Sequence, residues 1–111
     1  MKTTSPQLIR LLTISALALS FNAATHAQDK VTTLHNRATA AMCANCHGTD
    51  GRTTEGSAIP SLVGMPKNYM VLQLKAFKDG SRPATVMHQI SKGLTDAQVD
   101  TISSYYATTK R

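Results

Sequence analysis

Cys43-Ala44-Asn45-Cys46-His47 contains both cysteines of the 111-residue chain and sets a histidine directly behind the second. That spacing is the signal for c-type haem attachment. In this chemistry the two thiols add across the two vinyl groups of the haem. The two intervening residues set the sulfur spacing, and the adjacent imidazole becomes an axial ligand of the iron. Cys43 and Cys46 are therefore read as the covalent anchors and His47 as an iron ligand. Two rival readings use the same residues. A disulfide would have to close a tiny ring, and a zinc site would need a second Cys/His pair that the downstream sequence does not supply. The motif is expected to lie in a loop continuing as His47-Gly48-Thr49-Asp50-Gly51, where two glycines allow tight turns beside a large planar group.

Upstream, residues 1–27 have the layout of a secretory leader. Lys2 and Arg10 flank an apolar run from Leu11 through Leu19 to Phe21, and Thr25-His26-Ala27 offers small residues at the first and third positions before a cut. The apolar run is well short of the ~20 residues that span a bilayer, and Ser15 and Ser20 interrupt it. Residues 1–27 are thus expected to be a signal peptide, and residues 28–111 a single mono-haem domain. Export to a bacterial periplasm agrees with the motif, because covalent haem attachment in bacteria takes place outside the cytoplasm, where cytosolic thiol chemistry does not compete. No stable membrane span is expected after cleavage.

A domain of this size builds a core that contributes only a few kcal/mol net. Burying roughly 500 Å² of porphyrin would add an upper bound on the order of 10 kcal/mol, so the haem-free chain is expected to fold poorly. Ten of the twelve basic residues lie beyond the leader against all six acidic ones, a formal charge of +4 that two haem propionates reduce to about +2. Such a balance fits a solvated surface and a basic docking rim for an acidic redox partner equally well. There is no Trp, no basic run and no aromatic interleaving, which excludes a nucleic-acid stacking platform.

The pattern predicts an all-α chain. Leu34, Ala38, Ala41 and Met42 recur at helical spacing over Val31 to Met42, with Leu34 and Ala38 as core residues and His35 on a solvated face. Ile59-Pro60-Ser61-Leu62-Val63-Gly64 reads as a loop lying against the haem. Pro66 favours the first turn of a helix that puts Tyr69, Leu72, Gln73, Ala76 and Phe77 on one face and ends at a left-handed cap on Gly80. Residues 84–90 form one or two helical turns. Leu94-Thr95-Asp96-Ala97-Gln98-Val99 then starts the last helix, with Thr95 and Gln98 as a capping box and Leu94 stapled to Val99. That helix runs to about Ala107 and buries Val99, Ile102, Tyr105 and Tyr106 in part.

A haem held by His47 needs an occupant on its other face. Met42 adjoins the attachment cysteine and cannot easily reach that face, and Met70 reads as packing within its helix. Met87 follows a turn and stands forty residues beyond His47, far enough for the chain to wrap the haem edge. It is the favoured ligand, with Met65, His88 and an open site as alternatives. Thioether ligation suits an electron carrier, because it stabilises ferrous iron and leaves a six-coordinate centre that changes little between oxidation states.

Taken together, these residues resemble class I cytochromes c from Val31 to Ala107. Cys43 to Gly51, Pro60 to Gly64 and Gln73 to Gly80 are similar to single domains of dihaem periplasmic carriers. Thr85-Val86-Met87-His88-Gln89-Ile90-Ser91-Lys92-Gly93 is similar to the cytochrome subunit of flavocytochrome c sulfide dehydrogenase. The resemblance implies three to four helices wrapped around one covalent haem c, with Met87 as distal ligand. It also implies that the carbonyl of Pro60 accepts a hydrogen bond from the second ring nitrogen of His47, and that Leu62 packs on the porphyrin. The chain departs from the dihaem carriers in having one CxxCH, and its segment from Gly80 to Met87 is short.

The expected function is one-electron transfer by a periplasmic haem subunit with no active site of its own. Its partner would be a flavoprotein that oxidises sulfide. A free carrier of a respiratory chain is the alternative, and a haem sensor or enzyme with an open sixth site is a third reading, for which His88 is the one hint.

Overall fold

In a computed structural model of the protein, residues 6–110 are described, with side chains from residue 27 onward. The leader assigned to residues 1–27 therefore lies almost entirely outside the described side chains. The chain divides into two compact units, Met1–Leu34 and His35–Arg111. Among the described residues there are four helices, α1 (Pro6–His47), α2 (Lys67–Asp79), α3 (Met87–Lys92) and α4 (Asp96–Thr108), with one 3-10 turn at Thr49–Gly51 and no strand. No helix among the described residues is long and apolar enough to cross a membrane.

The first helix extends beyond the Val31–Met42 range expected for it, at both ends. It runs through Cys43 and Cys46 to His47, so the attachment motif forms the last helical turn and not a loop. Nothing between Ala40 and His47 breaks a helix, and the first glycine, Gly48, stops it. The face that α1 buries also differs from expectation. Ala40 and His47 are buried and Cys43 half-buried, a spacing of one helical face, whereas Leu34 and Ala38 are exposed. The reason is Tyr106. Its ring is buried, its hydroxyl donates to the Ala40 carbonyl at 2.8 Å, and only a side chain as small as alanine lets α4 come that close.

The remaining helices start and stop near their local signals, but two expectations are corrected. Tyr69 and Leu72, expected on the apolar face of α2, are exposed because Met70 and Leu74 are the side chains that meet the core, and the turns expected over residues 84–90 begin only at Met87. Pro66 stands immediately before α2, and Gly80 closes it in the left-handed conformation (φ 85°). α2 buries Met70 and Leu74 and packs against both α3 and α4. At α4 both halves of the capping box are made: the Gln98 amide donates to Thr95 Oγ1 at 3.2 Å, and the Thr95 amide donates to Gln98 Oε1 at 2.9 Å. Leu94, Val99, Ile102 and Tyr106 join Ala40, Met70 and Leu74 in one core. Lys67 on α2 pairs with Asp100 on α4 at 2.7 Å, and Lys78 Nζ donates to the Leu94 carbonyl at 2.6 Å.

Candidate functional site

Two glycines shape the ground immediately after the attachment motif. Gly48 (φ 78°) has no room for a side chain, because a Cβ there would stand 2.0 Å from the Arg52 carbonyl oxygen. Gly51 (φ 76°) lies against the Tyr106 ring. Between them Asp50 adopts φ 52°, a left-handed conformation that Asp tolerates better than most residues. Its carboxylate accepts from the Tyr105 hydroxyl at 3.1 Å and faces Arg37 at 3.9 Å and Arg52 at 3.7 Å. This tethers the turn to α1 and α4.

The Gly51 carbonyl then organises the next loop. It accepts from the Leu62 amide at 2.8 Å, the Val63 amide at 3.3 Å and the Ser61 hydroxyl at 2.8 Å. One residue further on, the Gly64 amide donates to the Tyr106 carbonyl at 2.8 Å. Residues 61–64 of the loop are thereby fixed, and Pro60 is held beside the motif.

His47 is buried, and its Nδ1 lies 2.7 Å from the Pro60 carbonyl oxygen. A carbonyl can only accept, so Nδ1 carries the proton and donates it. The opposite ring nitrogen, Nε2, is left with its lone pair free for a metal. The two thiols are not joined to each other. Cys43 and Cys46, three residues apart on α1, share one side of the helix, and Cys43 packs on the core while Cys46 is exposed. Burial pushes the Cys43 thiol above its ordinary range, and a hydrogen bond with Tyr106 acts weakly in the opposite sense. A pair of free thiols on one helical side, ending in an imidazole of fixed tautomer, is a donor set that fits covalent haem.

The other candidates separate by position. Met70 is buried in the core and Met42 is exposed on the outer side of α1, as is His35. Met65, Leu62 and Met87 are partly buried and pack against the core, and Met87 is the first residue of α3. His88 has its Nδ1 buried without a partner. Among the described residues no group of three or more His, Cys, Asp or Glu side chains gathers as a metal site. Sequence reasoning did not foresee the Gly51 carbonyl as the hub of the loop, or the Tyr106 bond to Ala40. Neither has a sequence signal, since both depend on backbone atoms brought together by the fold.

With this geometry in view, the sequence model of the cytochrome c family matches residues 36–110. The chain belongs to the cytochrome c family. Membership implies a covalently bound haem c and a domain of the electron-transfer kind. The chain is 35% identical over 68 residues to cytochrome c-554(548) of Halomonas halodenitrificans, covering 59% of this chain and 81% of that protein. It is 44% identical over 64 residues to the cytochrome subunit of sulfide dehydrogenase from Chlorobaculum tepidum, covering 58% of this chain and 56% of the relative. Identity is 39% over 71 residues with a thiosulfate dehydrogenase electron acceptor of Thiomonas intermedia, covering 64% and 33%. The chain thus spans between a third and a little over half of the length of these last two. Among solved structures, cytochrome c4 of Acidithiobacillus ferrooxidans superposes with a TM-score of 0.56 at 36% identity, over 60% of this chain and 37% of the other. The all-helical architecture is that of a class I cytochrome c.

Proposed function

We propose that this cytochrome c is an exported, mono-haem electron acceptor for a dehydrogenase that oxidises a reduced sulfur compound, and that it serves as the haem subunit of a flavoprotein acting on sulfide. The observation that carries the site is the His47–Pro60 hydrogen bond at the end of the CxxCH turn. It orients an imidazole for iron where the two thiols anchor the porphyrin. The partner is supported by the 44% identity to the cytochrome subunit of a sulfide dehydrogenase.

In this reading Cys43 and Cys46 would hold the haem through thioether bonds, His47 Nε2 and the Met87 sulfur would bind its iron, and Leu62 would cover the porphyrin. When bound, the haem supplies an iron that cycles between ferric and ferrous states. The residues keep that cycle free of large rearrangement. The Pro60 carbonyl holds the His47 ring and raises its basicity, the Gly51 carbonyl fixes the loop that carries Pro60 and Leu62, and α3 holds Met87 against the core. A neutral thioether together with a neutral imidazole would favour ferrous iron relative to two imidazoles. The chain itself contributes no substrate chemistry. In the same reading residues 1–27 serve as a signal peptide for export to the periplasm.

The test is rapid mixing of the ferric holoprotein with the flavoprotein from the native host and sulfide. Reduction of one haem equivalent per chain, with co-purification of the two proteins, is the expected result. Failure of sulfide to drive reduction in the presence of any host flavoprotein would refute the assignment. A second reading, favoured by the similarity to thiosulfate dehydrogenase electron acceptors, is a free carrier serving a thiosulfate dehydrogenase. A small monomeric native mass, with haem reduction driven by thiosulfate and its dehydrogenase, would select it.

A further inference from the structure

The last turn of α2, the loop that follows and helix α3 border an open cavity of about 290 Å³. None of the residues assigned above to the haem lines it. Three cations do: Lys78, Arg82 and Lys92, joined by His88 and a single carboxylate, Asp79. Two of these cations are fixed in place. Lys78 Nζ gives one of its hydrogen bonds to the Leu94 carbonyl at 2.6 Å and keeps two donors. The Arg82 guanidinium lies over the Phe77 ring, 4.6 Å from its centroid, and donates to Gln73, which leaves most of its five N–H groups free.

Asp79 opposes the positive field only in part, because one of its oxygens accepts from the Ser81 amide at 2.8 Å. His88 has its Nδ1 buried and unpartnered, so the hydrogen bonds its ring can make are left to Nε2. Lys78 and Lys92 each sit in the last turn of a helix, where a cation offsets the carbonyl charge. That role is met on any outward face and does not require the two lysines to line the same cavity as Arg82. The space itself suits a small ion. A water occupies about 30 Å³, so the cavity accommodates a tetrahedral anion together with several waters.

We propose that this cavity is a binding site for a small dianionic oxyanion, of the sulfate or inorganic phosphate class, held by Lys78, Arg82 and Lys92, with the His88 ring beside it. The test is a titration of the ¹⁵N-labelled ferrous holoprotein with sodium sulfate, and separately with phosphate, at constant ionic strength set with sodium chloride, so that general screening is held fixed. Saturable shifts confined to the amides of Gly80, Ala84, His88 and Lys92 are expected. The sulfate midpoint should rise about tenfold or more in Arg82→Gln and in Lys92→Gln, as each loses a charged hydrogen-bond donor. Lys75→Gln, on an exposed position of α2 outside the cavity, should leave the midpoint unchanged. Equal midpoints for the two anions would assign a general oxyanion site, and a lower one for phosphate a phosphate site.

Shifts that grow linearly and match those in chloride alone would overturn the proposal, as would a midpoint that Lys75→Gln moves as far as Arg82→Gln does. The haem absorption spectrum reports whether each variant is native. Should Arg82→Gln lose it through the contact with Phe77, the exposed Lys92→Gln carries the same comparison.

Discussion

Gly51→Ala should be among the most damaging single-methyl changes available in this protein. Gly51 is in the left-handed region at φ 76°, where an L side chain costs roughly 1–2 kcal/mol. The new Cβ would stand 2.5 Å from Cε1 and 2.8 Å from Cδ1 of Tyr106, and 3.1 Å from the Leu62 Cβ. The Tyr106 ring cannot swing away. It is 1% exposed and its hydroxyl is held by the Ala40 carbonyl. Relief therefore requires a shift of α4 or of the loop, a strain of about 1–3 kcal/mol, with loss of a hydrogen bond worth about 1 kcal/mol. The total is about 3–6 kcal/mol, comparable with the whole net stability of a domain this small. Gly56→Ala is the matched control, because Gly56 has a closely similar φ of 78° but nothing within 4 Å of its Cβ. It should lose only the conformational part, about 1–2 kcal/mol. Guanidinium unfolding of the ferric holoproteins, followed by far-ultraviolet circular dichroism, measures both. A Gly51→Ala protein no less stable than Gly56→Ala would refute the packing of the motif turn against Tyr106.

Other consequences are smaller in scale or depend on conditions. Thr95→Ala removes one half of the capping box and should cost about 1 kcal/mol in the same unfolding assay. Tyr106 is held protonated well above its ordinary value near 10, by burial first and then by neighbouring Cys43 and Tyr105. The unfolded chain therefore releases this proton at lower pH than the native one. The stability linked to this proton is complete below pH 10 and falls as pH rises above it. Tyr106→Phe should therefore lower stability at neutral pH by the lost bond to Ala40 but make it fall less steeply above pH 10, read by denaturant unfolding at successive pH values. The double variant Cys43→Ala, Cys46→Ala, purified without haem, should lack native helix content by circular dichroism, and a full native spectrum would contradict the expected dependence of the fold on its cofactor.

Local chemistry made much of the fold readable. The stop of α2 at Gly80, the capping box at Thr95 and Gln98, and the burial of Val99, Ile102 and Tyr106 each rest on residues within one or two turns of one another. The first helix was harder to read for the same reason. Leu34 and Ala38 have the right spacing for a core face, but which face of α1 is buried is decided by Tyr106, 66 residues beyond Ala40. The attachment motif looked like loop because haem chemistry and the glycines that follow suggest a turn, yet the residues themselves carry no helix breaker before Gly48. At the candidate site, the pairing of His47 with Pro60 was legible through family resemblance. The Gly51 carbonyl that positions Pro60 was not, since a backbone acceptor of three hydrogen bonds has no sequence signature.

Near-infrared magnetic circular dichroism of the ferric holoprotein tests the proposed centre most directly, because it reports the axial ligands of the iron. The expected spectrum is that of low-spin iron between histidine and methionine, with a sulfur-to-iron charge-transfer band that disappears in Met87→Ala. A bis-histidine or high-spin spectrum in the native protein, or a band that survives in Met87→Ala, would contradict the assignment of His47 and Met87 as the pair that holds the iron.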